Sequence, residues 1–264
     1  SSPLGLAAPS CSMEVPMGTS LSMGATALRG ASSQEVPMLG PLRPEAFRHT
    51  PCYCEENVWR LCEDLLGRRG DAGFAPPLGT GRLKAVFISN AEKRVPLWYQ
   101  RAGGQRGLLG APGFVLWDYH VLALLLEADG AGAQVLDLDT MLRPFPIPFA
   151  EYAAQALRPD VVSQFAARGR GADMPVRSFR VIDAEEYLKT LCSDRSHMRT
   201  ATGGWSAQPP PEPPILQSRE GCADGRTSNL FAEFVAMEPG KGVGEVLTEE
   251  AFLRQFGGPD VSGK

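Results

Sequence analysis

The sequence predicts an α+β domain in which a mostly antiparallel sheet is flanked by helices. Three observations support this fold class. A segment with apolar residues at helical spacing comes first, at positions 54–66. Runs rich in β-branched and aromatic residues then follow, joined by short glycine-containing links that suit hairpins. Further helical patterns close the chain, and this order is typical of α+β rather than alternating α/β domains.

The first predicted helix spans 54–66 and is amphipathic. Its apolar face consists of residues at positions i, i+3, i+4 and i+7, namely Val58, Leu61, Cys62 and Leu65. Glu55 and Glu56 lie in the first turn, where the helix macrodipole favours acidic side chains. Gly67 and Gly70 follow the apolar pattern and indicate where the helix ends.

Four strands are predicted in the middle of the chain, and we expect them to pair as two hairpins. Lys84–Ser89 is followed by Val95–Gln100, its expected hairpin partner. The long apolar run Phe114–Glu127 is followed by Ala133–Thr140, and an Asp-Gly-Ala-Gly turn at 129–132 joins the two. This arrangement predicts an antiparallel sheet.

The second half of the chain is predicted to contain shorter elements around a loop at 203–228. The expected elements are a helix at Phe149–Leu157, a strand at Phe179–Ile182, a helix at Ala184–Cys192 with Asp183 as its N-cap, and two closing segments at Leu230–Val235 and Thr248–Phe256.

Composition divides the chain into three regions. Residues 1–46 are rich in Ser, Gly, Ala, Pro and Met and show little periodicity, which predicts a low-complexity, disordered leader. Residues 47–258 are expected to form a single domain, and 259–264 a short C-terminal tail.

The overall charge and the cysteine content exclude several classes of protein. The formal net charge is −4, so no general attraction to nucleic acid or to an anionic membrane is expected. The apolar run Val121–Leu126 is too short to span a bilayer. The 6 cysteines are sparse for a disulfide scaffold, so we expect thiols in a reducing compartment, the cytoplasm or the nucleus.

Cys54 is the first candidate for chemistry because it begins the predicted helix. Unpaired backbone N–H groups and the positive end of the dipole lower the pKa of a thiol at such a position. The same N–H groups can stabilise an oxyanion on a carbonyl under attack. The alternative interpretation is a small buried hydrophobic residue, which describes most free cysteines.

His120 is the second candidate because it lies in an apolar predicted strand, where an unpaired imidazole costs desolvation energy. Asp137 and Asp139 of the next strand are the candidate partners, and period-2 geometry places them on one face. Asp118 shares the face of His120 by the same rule. The alternative is a structural His–Asp hydrogen bond without chemistry.

A metal site is the main competing interpretation of these residue types. Cys52, Cys54, Cys192 and His197 are a conceivable zinc set, but the Cys-x-Cys spacing is unusual for zinc and the chain has no second close pair. Nucleotide-binding and serine-hydrolase motifs are absent from the sequence.

The chain resembles the eukaryotic protein N-terminal glutamine amidohydrolases of the N-degron pathway, from about residue 50 to 257. The segments that carry the resemblance are Cys-Tyr-Cys-Glu-Glu-Asn at 52–57 with Trp59, Val86–Asn90, Trp117–Val121, Asp137–Thr140, Pro144–Pro146, Phe179–Ile182, Ser193–Met198, Gly204-Trp205 and Pro209–Pro211. The first of these motifs and Trp-Asp-Tyr-His at 117–120 are specific in combination.

The resemblance implies a fold, a reaction and a set of roles. It implies a papain/transglutaminase-like fold, a monomer without cofactor or metal, and deamidation of N-terminal glutamine in protein or peptide substrates. It implies Cys54 as nucleophile, His120 as base and Asp137 as the residue that orients the base. Proteolysis, transglutamination and non-catalytic recognition of N-terminal residues remain the competing hypotheses.

The residues that contact the substrate are less well defined than the catalytic ones. A buried α-ammonium needs a carboxylate partner, and Asp118, Asp139 and Asp194 are the candidates. Tyr53 and Trp117, beside the nucleophile and near the base in sequence, are further candidate substrate contacts.

Overall fold

The computed structural model describes residues 42–67, 82–127, 132–216 and 225–257. Residues 1–41 of the predicted leader, most of the 129–132 turn and the predicted tail lie outside the described residues. The α-helices are α1 (Cys54–Gly67), α2 (Phe149–Tyr152), α3 (Pro159–Ala167), α4 (Ala184–Thr190) and α5 (Glu249–Phe256), with π-helical segments at Ala153–Leu157 and Leu230–Val235. The strands are β1 (Leu83–Ser89), β2 (Val95–Leu97), β3 (Gly107–Leu108), β4 (Ala111–Pro112), β5 (Val115–Trp117), β6 (His120–Leu126), β7 (Ala133–Leu136), β8 (Ile147–Pro148), β9 (Ser178–Asp183) and β10 (Glu245–Thr248).

The main sheet has 6 strands in the order β10-β9-β1-β6-β7-β8, and every neighbouring pair is antiparallel. The predicted α+β class with a mostly antiparallel sheet is therefore confirmed. The predicted hairpin between the third and fourth strands is also confirmed, since β6 pairs with β7 from Leu126 opposite Ala133.

The central strands are apolar on both faces because the sheet is covered on both sides. In β1, Ala85 and Phe87 pack with α1 and α4, whereas Val86 and Ile88 pack in a second cluster with α2 and α5. The same alternation continues along β6, which explains its almost unbroken run of leucine, valine and alanine. Among the described residues, no helix is long and apolar enough to cross a membrane.

Three strand predictions differ from the structure, and the first two concern residues 95–100 and 114–127. Val95–Leu97 pairs with β5 in a separate 2-stranded sheet, not with β1 as expected. The long strand predicted at Phe114–Glu127 divides into β5 and β6, because the chain bends at Asp118. The Asp118 carboxylate accepts the backbone N–H of Tyr119 at 3.0 Å. This local hydrogen bond competes with strand pairing, so the strand is interrupted there.

The strand predicted at Ala133–Thr140 also ends early. β7 stops at Leu136, and a turn follows in which the Asp137 carboxylate accepts the backbone N–H of Asp139 at 2.9 Å. Aspartate favours such turns because its side chain bonds the backbone two residues on. The two acids therefore project from a turn rather than from one face of a strand.

The N-termini of α4 and α5 are capped differently. Asp183 precedes α4 as predicted, but its side chain makes no capping hydrogen bond and instead binds Lys84 Nζ at 2.6 Å. Thr248 caps α5 by accepting the N–H of Ala251 at 3.2 Å.

The cysteines do not all have the state that the sequence analysis expects. Cys54 and Cys62 are free and buried, in agreement with that expectation. Cys52 and Cys192 are disulfide-bonded, so the expectation of thiols is wrong at these two positions.

Candidate active site

Cys54 is the first residue of α1, and the segment before the helix is held firmly in place. The Tyr53 carbonyl accepts the N–H of Asn57 at 2.9 Å, which closes the first helical turn. The Asn57 side chain bonds both the N–H and the carbonyl of Thr50, at 2.8 Å each. The Cys54 thiol is buried against the start of β6, where the Val121 backbone N–H donates to it.

His120, the residue before Val121, forms a buried pair with Asp137. His120 begins β6, Asp137 follows β7, and His120 Nε2 lies 3.0 Å from Asp137 Oδ1. The other oxygen of Asp137 accepts hydrogen bonds from Gln100 Nε2 at 3.0 Å and from the Tyr152 hydroxyl at 2.8 Å. Both oxygens of the carboxylate are therefore fully used, and its orientation is fixed.

These contacts set the charge of the pair. Burial alone would raise the pKa of Asp137, but His120, Gln100 and Tyr152 outweigh it and hold that pKa below its ordinary value. Burial would lower the pKa of His120, but the Asp137 carboxylate outweighs it and raises that pKa. Asp137 is accordingly an anion that stabilises the protonated form of the imidazole.

The second ring nitrogen of His120 is available for proton exchange. His120 Nδ1 is buried and has no hydrogen-bond partner in the part of the chain that the structure describes. The ring stacks on Trp117, with centroids 5.4 Å apart and planes 20° apart. Since Nε2 is held by Asp137, only Nδ1 can exchange a proton with a neighbouring group.

The Cys54 thiol has a higher pKa than the sequence analysis expects for a helix N-terminus. Burial raises the pKa well above its ordinary value, and the charges of Glu55, Asp139 and Asp118 raise it further. The N–H of Val121 opposes this shift without overcoming it. The expectation of a lowered pKa is wrong because the thiol is buried and, in addition, lies near three carboxylates, so it needs a base to become a nucleophile.

A buried polar cluster beside the thiol was not predicted from the sequence. Glu55 is fully buried; its Oε2 lies 3.8 Å from Cys54 Sγ and accepts the Tyr119 hydroxyl at 2.9 Å. His197 Nε2 lies 3.5 Å from Glu55 Oε1, close enough for an ion pair but without the geometry of a hydrogen bond. Burial would lower the pKa of His197, but Glu55 outweighs it and raises that pKa.

The next residue of the helix makes a second buried link to the same loop. Arg195 binds the two carboxylate oxygens of Glu56 at 2.6 and 2.7 Å, and also donates to the carbonyls of Pro210 and Glu212. Glu55 and Glu56, which are expected in the first turn because the helix dipole favours acids there, are therefore mainly buried partners of residues 195–197. No local sequence pattern indicates this pairing, because Glu56 and Arg195 are 139 positions apart.

We expect Arg195→Met to destabilise the protein by roughly 3–5 kcal/mol, because it leaves the Glu56 carboxylate buried without a partner. Urea unfolding measures this loss. The matched control is Lys241→Met, which removes an exposed pair with Glu238 at 2.7 Å. We expect the control to cost less than about 1 kcal/mol. Equal losses in the two variants would contradict a structural role for the buried pair.

The structure brings most of the predicted site residues together and leaves two in other roles. Asp118 and Asp139 lie near enough to Cys54 for their charges to raise its pKa. Asp139 is also paired with His49 Nε2 at 3.0 Å. The Tyr53 side chain is buried and donates to the Ala207 carbonyl at 3.0 Å, which ties down a loop.

Asp194, a predicted partner of the substrate α-ammonium, instead makes hydrogen bonds within the protein. Its carboxylate accepts the N–H of Ser196 at 2.8 Å and the hydroxyl of Thr227 at 2.8 Å. Partial burial would raise the pKa of Asp194, but these hydrogen bonds outweigh it and lower that pKa. Both oxygens of this carboxylate thus stabilise a loop.

One group of side chains among the described residues has the spacing of a metal site. The ligand atoms of His120, Asp137 and Asp139 lie within 4.8 Å of one another. Hydrogen bonds from Gln100 and Tyr152 and the His49 pair already use oxygens of this group. The alternative zinc set lacks two of its four ligands, because Cys52 and Cys192 are disulfide-bonded.

Comparison with known proteins places the chain in a family. The family model described as N-terminal glutamine amidase matches residues 49–256. A rice protein named protein N-terminal glutamine amidohydrolase is 42% identical over 200 residues, covering 74% of this chain and 75% of the relative. Human and Drosophila grimshawi proteins of the same name are each 37% identical, covering 81% and 79% of this chain and 89% and 87% of the relatives.

These matches span both of the motifs on which the resemblance was based, and they confirm it. The relatives come from a plant, an insect and a mammal, and each is named as an amidohydrolase. The chain therefore belongs to the N-terminal glutamine amidase family of amidohydrolase enzymes.

Proposed function

We propose that the chain converts an N-terminal glutamine of proteins and peptides to glutamate through a thioester on Cys54. The observation that carries this proposal is a free, buried thiol that accepts the N–H of Val121, the residue after a buried histidine whose Nε2 is fixed by a carboxylate with both oxygens hydrogen-bonded. The names of the relatives supply the substrate. The geometry supplies a nucleophile, a base and an orienting acid.

The reaction begins with transfer of the Cys54 proton to His120 Nδ1. The sulfur then attacks the side-chain carboxamide carbon of glutamine and forms a C–S bond, and the carbonyl π electrons move to the oxygen. The C–N bond breaks as the His120 imidazolium gives its proton to the nitrogen, and ammonia leaves. Asp137 stabilises the imidazolium during these steps and, by holding Nε2, leaves Nδ1 as the nitrogen that exchanges the proton.

Hydrolysis of the thioester completes the cycle. His120, neutral again, takes a proton from water while the water oxygen bonds the acyl carbon. The C–S bond then breaks, the proton returns to sulfur, and glutamate is released. A protonated resting thiol suits this sequence, because His120 removes the proton only when the substrate carbonyl is in place.

Asp118 is our candidate for the carboxylate that binds the substrate α-ammonium. The Asp118 carboxylate accepts the backbone N–H of Tyr119, and the residue is exposed at the bend between β5 and β6. Asp139 is paired with His49, and Asp194 holds a loop. Asp118 therefore has acceptor capacity left for a cation.

The arrangement also supports a papain/transglutaminase-like fold, which we propose for the domain. The nucleophile lies at the N-terminus of α1, and the helix packs on an antiparallel sheet that contributes the histidine from β6 and the aspartate after β7. A monomer in the cytoplasm or nucleus remains part of the proposal.

The function is tested by ammonia release from a peptide that begins with glutamine. We expect turnover of this peptide and at least 100-fold less from the same peptide after N-acetylation or with the glutamine at an internal position, since about 2.7 kcal/mol of α-ammonium binding gives such a ratio. Mass spectrometry of the product separates deamidation from peptide cleavage. If an added primary amine is incorporated into the product in place of water, the enzyme is a transglutaminase. Binding of the peptide without turnover would identify a non-catalytic protein that recognises N-terminal residues.

The pH dependence of turnover should follow His120. The imidazole must be neutral to accept the thiol proton, and Asp137 raises its pKa above the ordinary value of 6.5. We therefore expect kcat/KM to fall as the pH is lowered, with a midpoint above 6.5. Activity that stays constant well below this value would contradict a protonated resting thiol and indicate a preformed thiolate–imidazolium pair.

A further inference from the structure

An open groove of about 740 Å³ lies beside the ends of β1 and β10 and the segment after the second π-helical turn. Its lining is mostly apolar. The residues that form it are Ser89–Lys93, Val176–Ser178, Phe231, Val235–Pro239 and Thr248. Val176 and Phe231 are among the exposed large hydrophobic residues of the described chain, at 56% and 37% exposure. An apolar concave surface of this kind is typical of a binding site.

Two residues that line the groove contact neighbours of the candidate active site. The Phe231 ring packs edge-on against Tyr119 at 5.9 Å and against His197 at 5.7 Å. Tyr119 in turn bonds Glu55, which lies next to Cys54. At the other wall, the Ser89 hydroxyl donates to the Asp118 carbonyl at 3.3 Å. The groove therefore begins at residues that contact the neighbours of both the nucleophile and the proposed α-ammonium site.

The charges along the groove do not favour a charged occupant. Lys93 lies over the Phe231 ring at 5.3 Å, and Glu92 lines the groove beside it. Glu238 is paired with Lys241, and Arg177 is buried in a pair with Glu249. Because opposite charges occur side by side, the apolar lining decides which segment binds best.

We propose that this groove binds the polypeptide segment that follows the N-terminal residue of the substrate, and that it selects an apolar side chain in that segment. The inference rests on the proposed function, because such substrates must continue away from Cys54 as an extended chain. Because Ser89 contacts Asp118 and the next residue, Asn90, contacts Val176, an extended chain that leaves the Asp118 side at about 3.3 Å per residue enters the groove within its first few positions. The groove thus adds binding energy that a dipeptide cannot obtain.

The test compares KM for substrates of different length and composition. The substrates are a Gln-Gly dipeptide amide and heptapeptides that begin with Gln-Gly and carry either one leucine or only serine at positions 3–5. Burial of a leucine side chain contributes about 1.5–3 kcal/mol, so we expect a KM at least roughly 10-fold lower for the best leucine peptide than for the serine peptide. The dipeptide should be turned over with a KM like that of the serine peptide.

Variants distant from the catalytic residues assign the effect to the groove. We expect Val176→Asp and Met237→Asp to raise KM for the leucine peptide about 10-fold, because a carboxylate replaces the apolar lining. Turnover of the dipeptide should not change. The matched control is Leu109→Asp, which alters a hydrophobic residue that is 52% exposed and does not line the groove. Thermal unfolding establishes that all three variants are folded.

The outcomes separate this inference from the function on which it rests. Absence of turnover of all three peptides by the wild-type protein would contradict the proposed function. Normal dipeptide turnover with equal KM values for the leucine and serine peptides would overturn the groove inference alone. A leucine preference that survives both groove variants would also overturn it.

Discussion

Replacement of Cys54 by alanine is expected to lower turnover of a Gln-starting peptide by roughly 10⁴–10⁶-fold, as removal of the nucleophile does in other covalent hydrolases. The variant retains the buried His120–Asp137 pair but has no atom that can form the thioester. Ammonia release under steady-state conditions measures the loss. Urea unfolding should give a free energy of unfolding close to that of the wild type, since Cys54 contributes a single small side chain to the core.

Cys62 provides the matched control for this prediction. It is the other free thiol of the described residues, it is buried on the same helix, and its burial raises the pKa above the reactive range. We expect Cys62→Ala to cost about 1 kcal/mol of stability and to retain turnover. Full activity in Cys54→Ala, or a loss of activity only in Cys62→Ala, would show that the nucleophile is misassigned.

Replacement of Asp137 by asparagine is expected to lower kcat by about 10²–10³-fold, somewhat less than the equivalent change in a serine protease. Three donors besides His120 point at this carboxylate: Gln100, Tyr152 and the Asp139 N–H. An amide has one NH₂ group, which must face either these donors or the imidazole. If it faces His120, the proton of that ring moves to Nδ1, the nitrogen that has to accept the thiol proton.

Asp139→Asn provides the comparison for Asp137→Asn. Asp139 is paired with the partly exposed His49 rather than with His120, so its loss should leave kcat within a few-fold of wild type. Asp137→Asn should also move the acid-side midpoint of the pH profile downward, because Asp137 is what raises the pKa of His120. A collapse of kcat in Asp139→Asn, with near-normal kcat in Asp137→Asn, would transfer the orienting role to Asp139.

The principal site residues could be predicted because each conflicts with its local surroundings. A cysteine at a helix start, a histidine in an apolar run and aspartates at a strand end all need a chemical or structural reason. The structure places these residues close together. The experiments above test the proposal that they form a catalytic triad.

The supporting residues could not be predicted because their partners are distant in sequence. Gln100 reaches Asp137 across 37 positions, and Glu56 reaches Arg195 across 139. Nothing in the local pattern around Gln100 distinguishes it from an ordinary strand residue. The raised pKa of Cys54 has the same origin, since it depends first on burial by the tertiary packing and then on nearby carboxylates, of which Asp118 and Asp139 are distant in sequence.

The fold shows a similar division between local and non-local information. The helix predicted at 54–66 follows from apolar periodicity and the strand predicted at 84–89 from its β-branched and aromatic residues, and the structure has each within one residue of the predicted ends. The breaks at Asp118 and Asp137 were missed because a side-chain hydrogen bond to the backbone competes with strand propensity there. The partner of Val95–Leu97 was missed because strand pairing is decided by tertiary contacts.

The central claim is that Cys54 attacks the side-chain carbonyl of an N-terminal glutamine. A peptide whose first residue is a diazoketone analogue of glutamine tests it directly, because the nucleophile displaces nitrogen and remains covalently attached to the side chain. Peptide mapping by mass spectrometry then locates the adduct. The account predicts one adduct, on Cys54, which forms far more slowly when the peptide is N-acetylated. An adduct on another residue, or equal labelling by the free and acetylated peptides, would contradict it.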